Sequence, residues 1–160
     1  MKKVIGRREK INLPDWDLWG ISGKVDTGAY TSSIHSEYAE MIKKGDKSYL
    51  RFTVLDRRHP KYTGNVIETD DFTVKSVKNS FGEAQNRYQI ATTIELFGEK
   101  FDAEFTLSDR SRMRNQILLG RKTLKGRFVV DVDLTDQSKK MAKLAGSRKH
   151  GKGTDLPDTI

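Results

Sequence analysis

The residues best suited to chemistry in this chain are one aspartate and its immediate neighbours. Lys24-Val25-Asp26-Thr27-Gly28-Ala29 reads as a β-run that ends abruptly in Asp-Thr-Gly. Asp and Thr bond their own backbone and Gly accepts a left-handed conformation, so alone this tripeptide is a turn that starts on a carboxylate. A second segment, Ile117-Leu118-Leu119-Gly120-Arg121, sets three apolar residues before a glycine, which alone is a core strand. Other chemistries are poorly supplied. There is no cysteine, which excludes disulfides and thiolate metal sites. The histidines are His35, His59 and His150, with no close paired spacing, and His35 reads as a packed or capping histidine. Gly146 to Gly153 has the glycine spacing and lysine of a phosphate loop, but Gly153 stands where the Mg²⁺-binding hydroxyl belongs and no strand precedes it. No metal and no cofactor is expected.

The two segments together resemble the retropepsin-like aspartic proteases, whose active-site loop reads Asp-Thr/Ser-Gly-Ala and lies beside a later apolar strand ending in glycine. The resemblance is closer to a bacterial branch labelled ATP-dependent zinc proteases, associated with an ATP-grasp ligase that adds glutamates to a ribosomal protein. The blocks that carry it are KVDTGAYTSSIHS, NSFGEAQNRYQI, TLSDRSRM and ILLGRKTLKGRFVVDV, in order from Lys24 to Val132. It implies a mainly β fold, a closed six-stranded acid-protease barrel with one or two short helices. It also implies an aspartic peptidase with Asp26, Thr27 and Gly28 as its catalytic loop. Such chemistry needs two carboxylates sharing one proton, a charged one to activate water and a protonated one to assist the carbonyl oxygen. The chain has one Asp-Thr-Gly. The second carboxylate is therefore expected from a homodimer, with Thr27 bonding across the axis and Gly28 permitting close approach. A flap is expected over Phe72 to Ile90, with Asn79-Ser80-Phe81-Gly82 near its tip.

The elements that must position this loop read as short strands. Tyr88, Ile90, Thr92, Ile94 and Leu96 alternate, as do Phe101, Ala103, Phe105 and Leu107, with a type II′ hairpin expected at Gly98-Glu99. Leu50, Phe52 and Val54 alternate too; Phe128 to Val132, Leu18 to Val25 and a segment from Val4 complete the set. One helix is predicted from Ser36 to Gly45, with Ser36 as cap, Glu37 and Glu40 early, Lys43 and Lys44 late, and Gly45 as stop. A second short turn is predicted from Arg121 to Leu124.

A length of 160 residues suits one domain, read as a barrel over 1–136 and a flexible basic tail over 137–160. The net charge is +8, and half of it falls within Gln137 to Ile160. Nucleic acid is thus expected to bind only non-specifically, through the tail. MKKVIGRREK lacks the apolar stretch of a secretory signal, and no run reaches the ~18 apolar residues of a membrane span. A cytoplasmic protein without membrane association is expected. Ala29, Arg87, Arg110 and Arg121 are the expected substrate contacts, the three arginines because guanidinium groups fit carboxylates bidentately. A glutamate-rich peptide or protein would suit them, as the family's association with a glutamate ligase implies. Two rivals remain: a non-catalytic peptide-binding barrel using the same groove, and a nucleic-acid-binding barrel. Against the second, Trp16, Trp19, Phe81 and Tyr88 are scattered without basic-aromatic interleaving.

Overall fold

The period-two segments become strands that close on themselves. The structure, a computed structural model, describes residues 1–78 and 81–144. β1 (Lys3–Ile5), β2 (Arg8–Leu13) and β3 (Leu18–Val25) open the chain, and β4 (Ser32–His35) follows the Asp26 loop. β9 (Ala84–Leu96), β10 (Glu99–Ser108) and β11 (Ile117–Leu119) come later. Six of these form a ring in the order β10-β4-β11-β3-β2-β9, and β9 pairs back onto β10. This is the closed six-stranded barrel; closure leaves no free sheet edge within the ring. Ile11, Ile21, Ile34, Ile94, Phe105, Ile117 and Leu119 are 0–1% exposed and fill it. The inward-outward alternation along β2, β9 and β10 puts Ile11, Ile94 and Phe105 there.

One connection matters for the site. β11 runs parallel to β3 and antiparallel to β4, lying between them. The loop that joins β3 to β4 must therefore pass the end of β11, where Gly120 sits. Outside the ring, β8 (Phe72–Lys78) pairs with the first half of β9 as an antiparallel hairpin, from Phe72↔Ile90 to Lys78↔Ala84. That hairpin occupies the stretch expected to be a flap; Asn79 and Ser80 lie outside the described residues.

The helix predicted from Ser36 to Gly45 is not formed. Its residues build β5 (Ala39–Lys44), which pairs with β6 (Lys47–Phe52), and β7 (Ile67–Thr69) completes a three-stranded sheet. Gly45 has φ +65 and occupies the two-residue turn between Lys44 and Lys47, so the expected helix stop is a hairpin turn. Cross-strand pairs outweigh the local signals: Ile42 faces Tyr49, Ala39 faces Phe52, and Glu40 faces Arg51. Met41 points outward and is 48% exposed. The next hairpin also differs from expectation. Its turn is Phe97-Gly98, both with positive φ (55 and 74) and closed by Leu96↔Glu99, a type I′ turn rather than type II′ at Gly98-Glu99.

The helical turn predicted at Arg121 to Leu124 is α1 (Arg121–Leu124). β12 (Phe128–Val130) then pairs in parallel with β1. Residues 137–144, placed in the tail on sequence grounds, are helical. The amides of Gln137 and Ser138 donate to the carboxylate of fully buried Glu9, which also accepts from Gly6 N–H. Residues 145–160 lie outside the described residues. No described helix is long and apolar enough to cross a membrane.

Candidate active site

Asp26 follows β3 directly and is half-buried. Its amide donates to Leu119 O at 2.9 Å, which docks the loop on β11. Its Oδ1 accepts the Gly28 amide at 2.9 Å, and Ala29 N–H donates to Asp26 O. A side chain on Gly28 would start 3.1 Å from that same Oδ1, so the tight turn around the carboxylate depends on its absence. The segment after β11 then grips the loop from below. Arg121 N–H donates to Ala29 O, Lys122 N–H to Tyr30 O, and Arg121 Nη1 to Thr27 O. Gly120 N–H donates to Ser32 Oγ, which also bonds Thr123 Oγ1.

This explains why two motifs far apart in sequence act together. A Cβ on Gly120 would stand 2.7 Å from Tyr30 O and 2.8 Å from Thr31, both backbone. Gly120→Ala is thus expected to lower stability by about 1–3 kcal/mol through overpacking. A urea melt should show an earlier midpoint with an unchanged slope; a parental midpoint would show that the loop can yield.

Arg121 was expected to contact substrate. Its guanidinium bonds Thr27 O and lies 5.7 Å from the Tyr30 ring centre, bracing the loop. Arg87 and Arg110 do come together. They line a cavity of about 420 Å³ with Lys75, Gln89, Thr106, Ser108, Thr31 and the β4 residues Ser32 and Ser33. Its roof is the β8–β9 hairpin, and among the described residues no carboxylate lines it. Arg110 is half-buried; burial pushes its guanidinium down from its ordinary value, and the negative charge of Asp26 opposes this. Lys75 was missed by sequence reading, although its place opposite Arg87 in the hairpin was open to a register argument. Ala29 holds the loop through its backbone.

The family profile described as RimB-like, retropepsin-like aspartic endopeptidase RimB, matches residues 4–141. The chain belongs to that family. Proteins named probable alpha-L-glutamate ligase are among its relatives. One from Desulfotalea psychrophila is 32% identical over 130 residues, covering 81% of this chain and 28% of that protein. One from Shewanella pealeana is 32% identical over 134 residues, with the same coverage. The chain thus spans little more than a quarter of the length of these curated relatives. A solved Legionella pneumophila protein of unknown function superposes with a TM-score of 0.69 at 28% identity, covering 86% of this chain and 99% of that one.

The zinc in the label of the resembling branch can be tested on the residues of this family member. His35, Glu37 and Asp56 offer ligand atoms within 4.8 Å of one another. His35 is 2% exposed, and its Nε2 has no hydrogen-bond partner. Nε2 lies 3.7 Å from Glu37 and 3.9 Å from Asp56. However, Nδ1 accepts the Arg110 amide at 2.8 Å. A neutral ring that accepts at Nδ1 carries its proton on Nε2, the atom a metal would need. Arg58 already holds both Asp56 oxygens, pulling that carboxyl far below its usual range, and Arg57 holds Glu37. The set does not fit zinc. It fits a histidine that anchors the loop carrying Arg110 beside Asp26. EDTA is accordingly expected to leave any activity unchanged; loss of turnover restored by zinc alone would reverse this assignment. The Gly146 to Gly153 segment lies outside the described residues.

Proposed function

We propose that the chain works in pairs as an aspartic-type peptidase, with the Asp26 carboxylates of two copies flanking one water and one bond of an acidic or glutamylated peptide. The observation that carries this reading is the Asp26 loop: a carboxylate held half-exposed by backbone bonds, near a hairpin roof and the cation Arg110. The charged member of such a pair takes a proton from the attacking water. The protonated member donates to the carbonyl oxygen. One carboxylate cannot do both in the same step.

Several features support pairing across a two-fold axis. Thr27 is exposed and its side chain makes no hydrogen bond among the described residues, leaving it free for a partner. β1 and β12 pair within one chain, and the adjacent Val4 and Val129 are 47% and 53% exposed on their outer face. Val132, 69% exposed, lies close by: its carbonyl accepts from Arg7, whose own carbonyl accepts the Val25 amide next to Asp26. This apolar face beside the loop suits a second copy. Other carboxylates are engaged elsewhere. Asp102 lines a separate acidic cavity with Asp15, Asp71 and Glu104, Asp109 bonds Ser111, and Asp131 bonds the Asp133 amide.

A second reading is a peptide-binding module without turnover. The relatives named as ligases favour it, because their name calls for no peptide hydrolysis. The test is incubation with a hexaglutamate peptide and mass analysis of the products. New peptide termini support the peptidase; saturable binding with an intact peptide supports the module.

A further inference from the structure

The flap cavity has a counterpart on the other flank of the loop. A cavity of about 360 Å³ is lined by Arg7, Arg8, Lys24, Val25, Arg110, Met113, Arg114 and Asn115. It too has no carboxylate in its wall. The flap cavity begins at Thr31, just past the Asp26 turn; this one ends at Val25, just before it, and Arg110 belongs to both.

Each cavity is built on a feature that works against the fold. Lys75 stands directly opposite Arg87 across β8 and β9, and Arg8 directly opposite Lys24 across β2 and β3. Like charges in direct cross-strand register destabilise a sheet. Elsewhere such charges are neutralised: Glu40 faces Arg51 across β5 and β6, and where Lys44 faces Lys47 in the same hairpin, Glu68 and Asp70 hold them. Lys44, Lys47, Arg51 and Lys122 are likewise paired with carboxylates. Lys24, Lys75, Arg87, Arg110 and Arg114 have no ion pair among the described residues; Arg8 has only Asp136, at 4.0 Å. Two repulsive pairs beside one carboxylate, one with no ion pair among the described residues and the other with only that 4.0 Å contact, suit an anionic ligand.

We infer that the cavity of Arg7, Arg8, Lys24 and Arg114 is a second anionic subsite, which together with the flap cavity holds acidic side chains from neighbouring residues of one extended peptide. The inference deepens the reading of the Asp26 loop as a peptide-cleaving site and rests on it. In an extended chain successive side chains point to opposite sides. A peptide crossing the loop would thus send one carboxylate into each flank, with Arg110 between them. The ligand class is a run of consecutive glutamates or aspartates rather than a single one. The acidic cavity of Asp15, Asp71, Asp102 and Glu104 would repel the same peptide.

The test uses the full chain carrying Asp26→Asn, so that binding is read without turnover, and fluorescein-labelled hexaglutamate and hexaglutamine as probes. Lys24→Glu and Lys75→Glu are compared on that background, one for each cavity. Each reversal is expected to weaken hexaglutamate binding about tenfold or more and to leave hexaglutamine unchanged. Each is also expected to keep or raise the unfolding midpoint, because a repulsive cross-strand pair becomes an attractive one. Lys24→Glu binding hexaglutamate like its parent while Lys75→Glu weakens it would overturn the second subsite and leave the acidic-peptide reading standing. Loss of discrimination between the two peptides in the parent would overturn both. Equally tight binding of a single-stranded oligonucleotide of the same charge, weakened by the same substitutions, would overturn the assignment to peptide. Binding that behaves as expected, with no cleavage by the wild-type chain, would sink the peptidase reading alone.

Discussion

Asp26→Asn is expected to cut peptide hydrolysis by about 10²–10⁴-fold, the usual weight of an acid-base group, while leaving the fold in place. The asparagine oxygen can still accept the Gly28 amide, so the turn keeps its side-chain bond. The bond from the residue 26 amide to Leu119 O is backbone and does not notice the change. What is lost is the ability to take a proton from water or to give one back. Hydrolysis rates with an acidic peptide, measured beside a urea melt, separate the two effects. A parental rate in the variant would remove Asp26 from the chemistry. An earlier melt would make any loss of rate a matter of folding.

The same variant is expected to act as a poison. A mixed pair of wild-type and Asp26→Asn chains holds one ionisable carboxylate at its axis, and one cannot serve as acid and base together. After subunit exchange reaches equilibrium, a ninefold excess of the variant should lower wild-type activity about tenfold by random pairing. Activity unchanged by the excess, with exchange shown by mixing labelled chains, would mean that each wild-type chain acts alone.

Much of the barrel was legible because burial on one face writes period two into a strand. The strand near Leu18 to Val25 and the turn at Arg121 to Leu124 were readable, and the alternations around Ile94 and Phe105 gave β9 and β10. The segment from Ser36 to Gly45 misled for a physical reason. Four of its six strand residues are exposed, and the segment carries a cap and charges that suit a helix, whereas the partner strand Lys47–Phe52 decides the outcome from outside the segment. Glycine as a stop is ambiguous in the same way: Gly45 serves a hairpin at φ +65 as readily as it would end a helix.

The site was legible only as far as its motifs. That Asp-Thr-Gly and Leu-Leu-Gly belong together came from the resemblance; their contact, Gly120 against Tyr30 and Thr31, needs the order of β3, β11 and β4. Arg121 reads in the sequence as a substrate contact, and its bond to Thr27 O needs the fold. His35 gave no signal of its task, because the Arg110 amide that it accepts lies 75 residues away. The repulsive pairs Lys75–Arg87 and Arg8–Lys24 become visible only once strand register is known.

Catalysis by two Asp26 carboxylates brought together from two chains is the centre of this account, and dilution tests it most directly. Hydrolysis rate and sedimentation are followed over one concentration series spanning the monomer–dimer transition. The rate is expected to rise with the second power of chain concentration while monomer dominates and to become linear once dimer does. A demonstrably monomeric chain that hydrolyses peptide at the full rate per chain would contradict it.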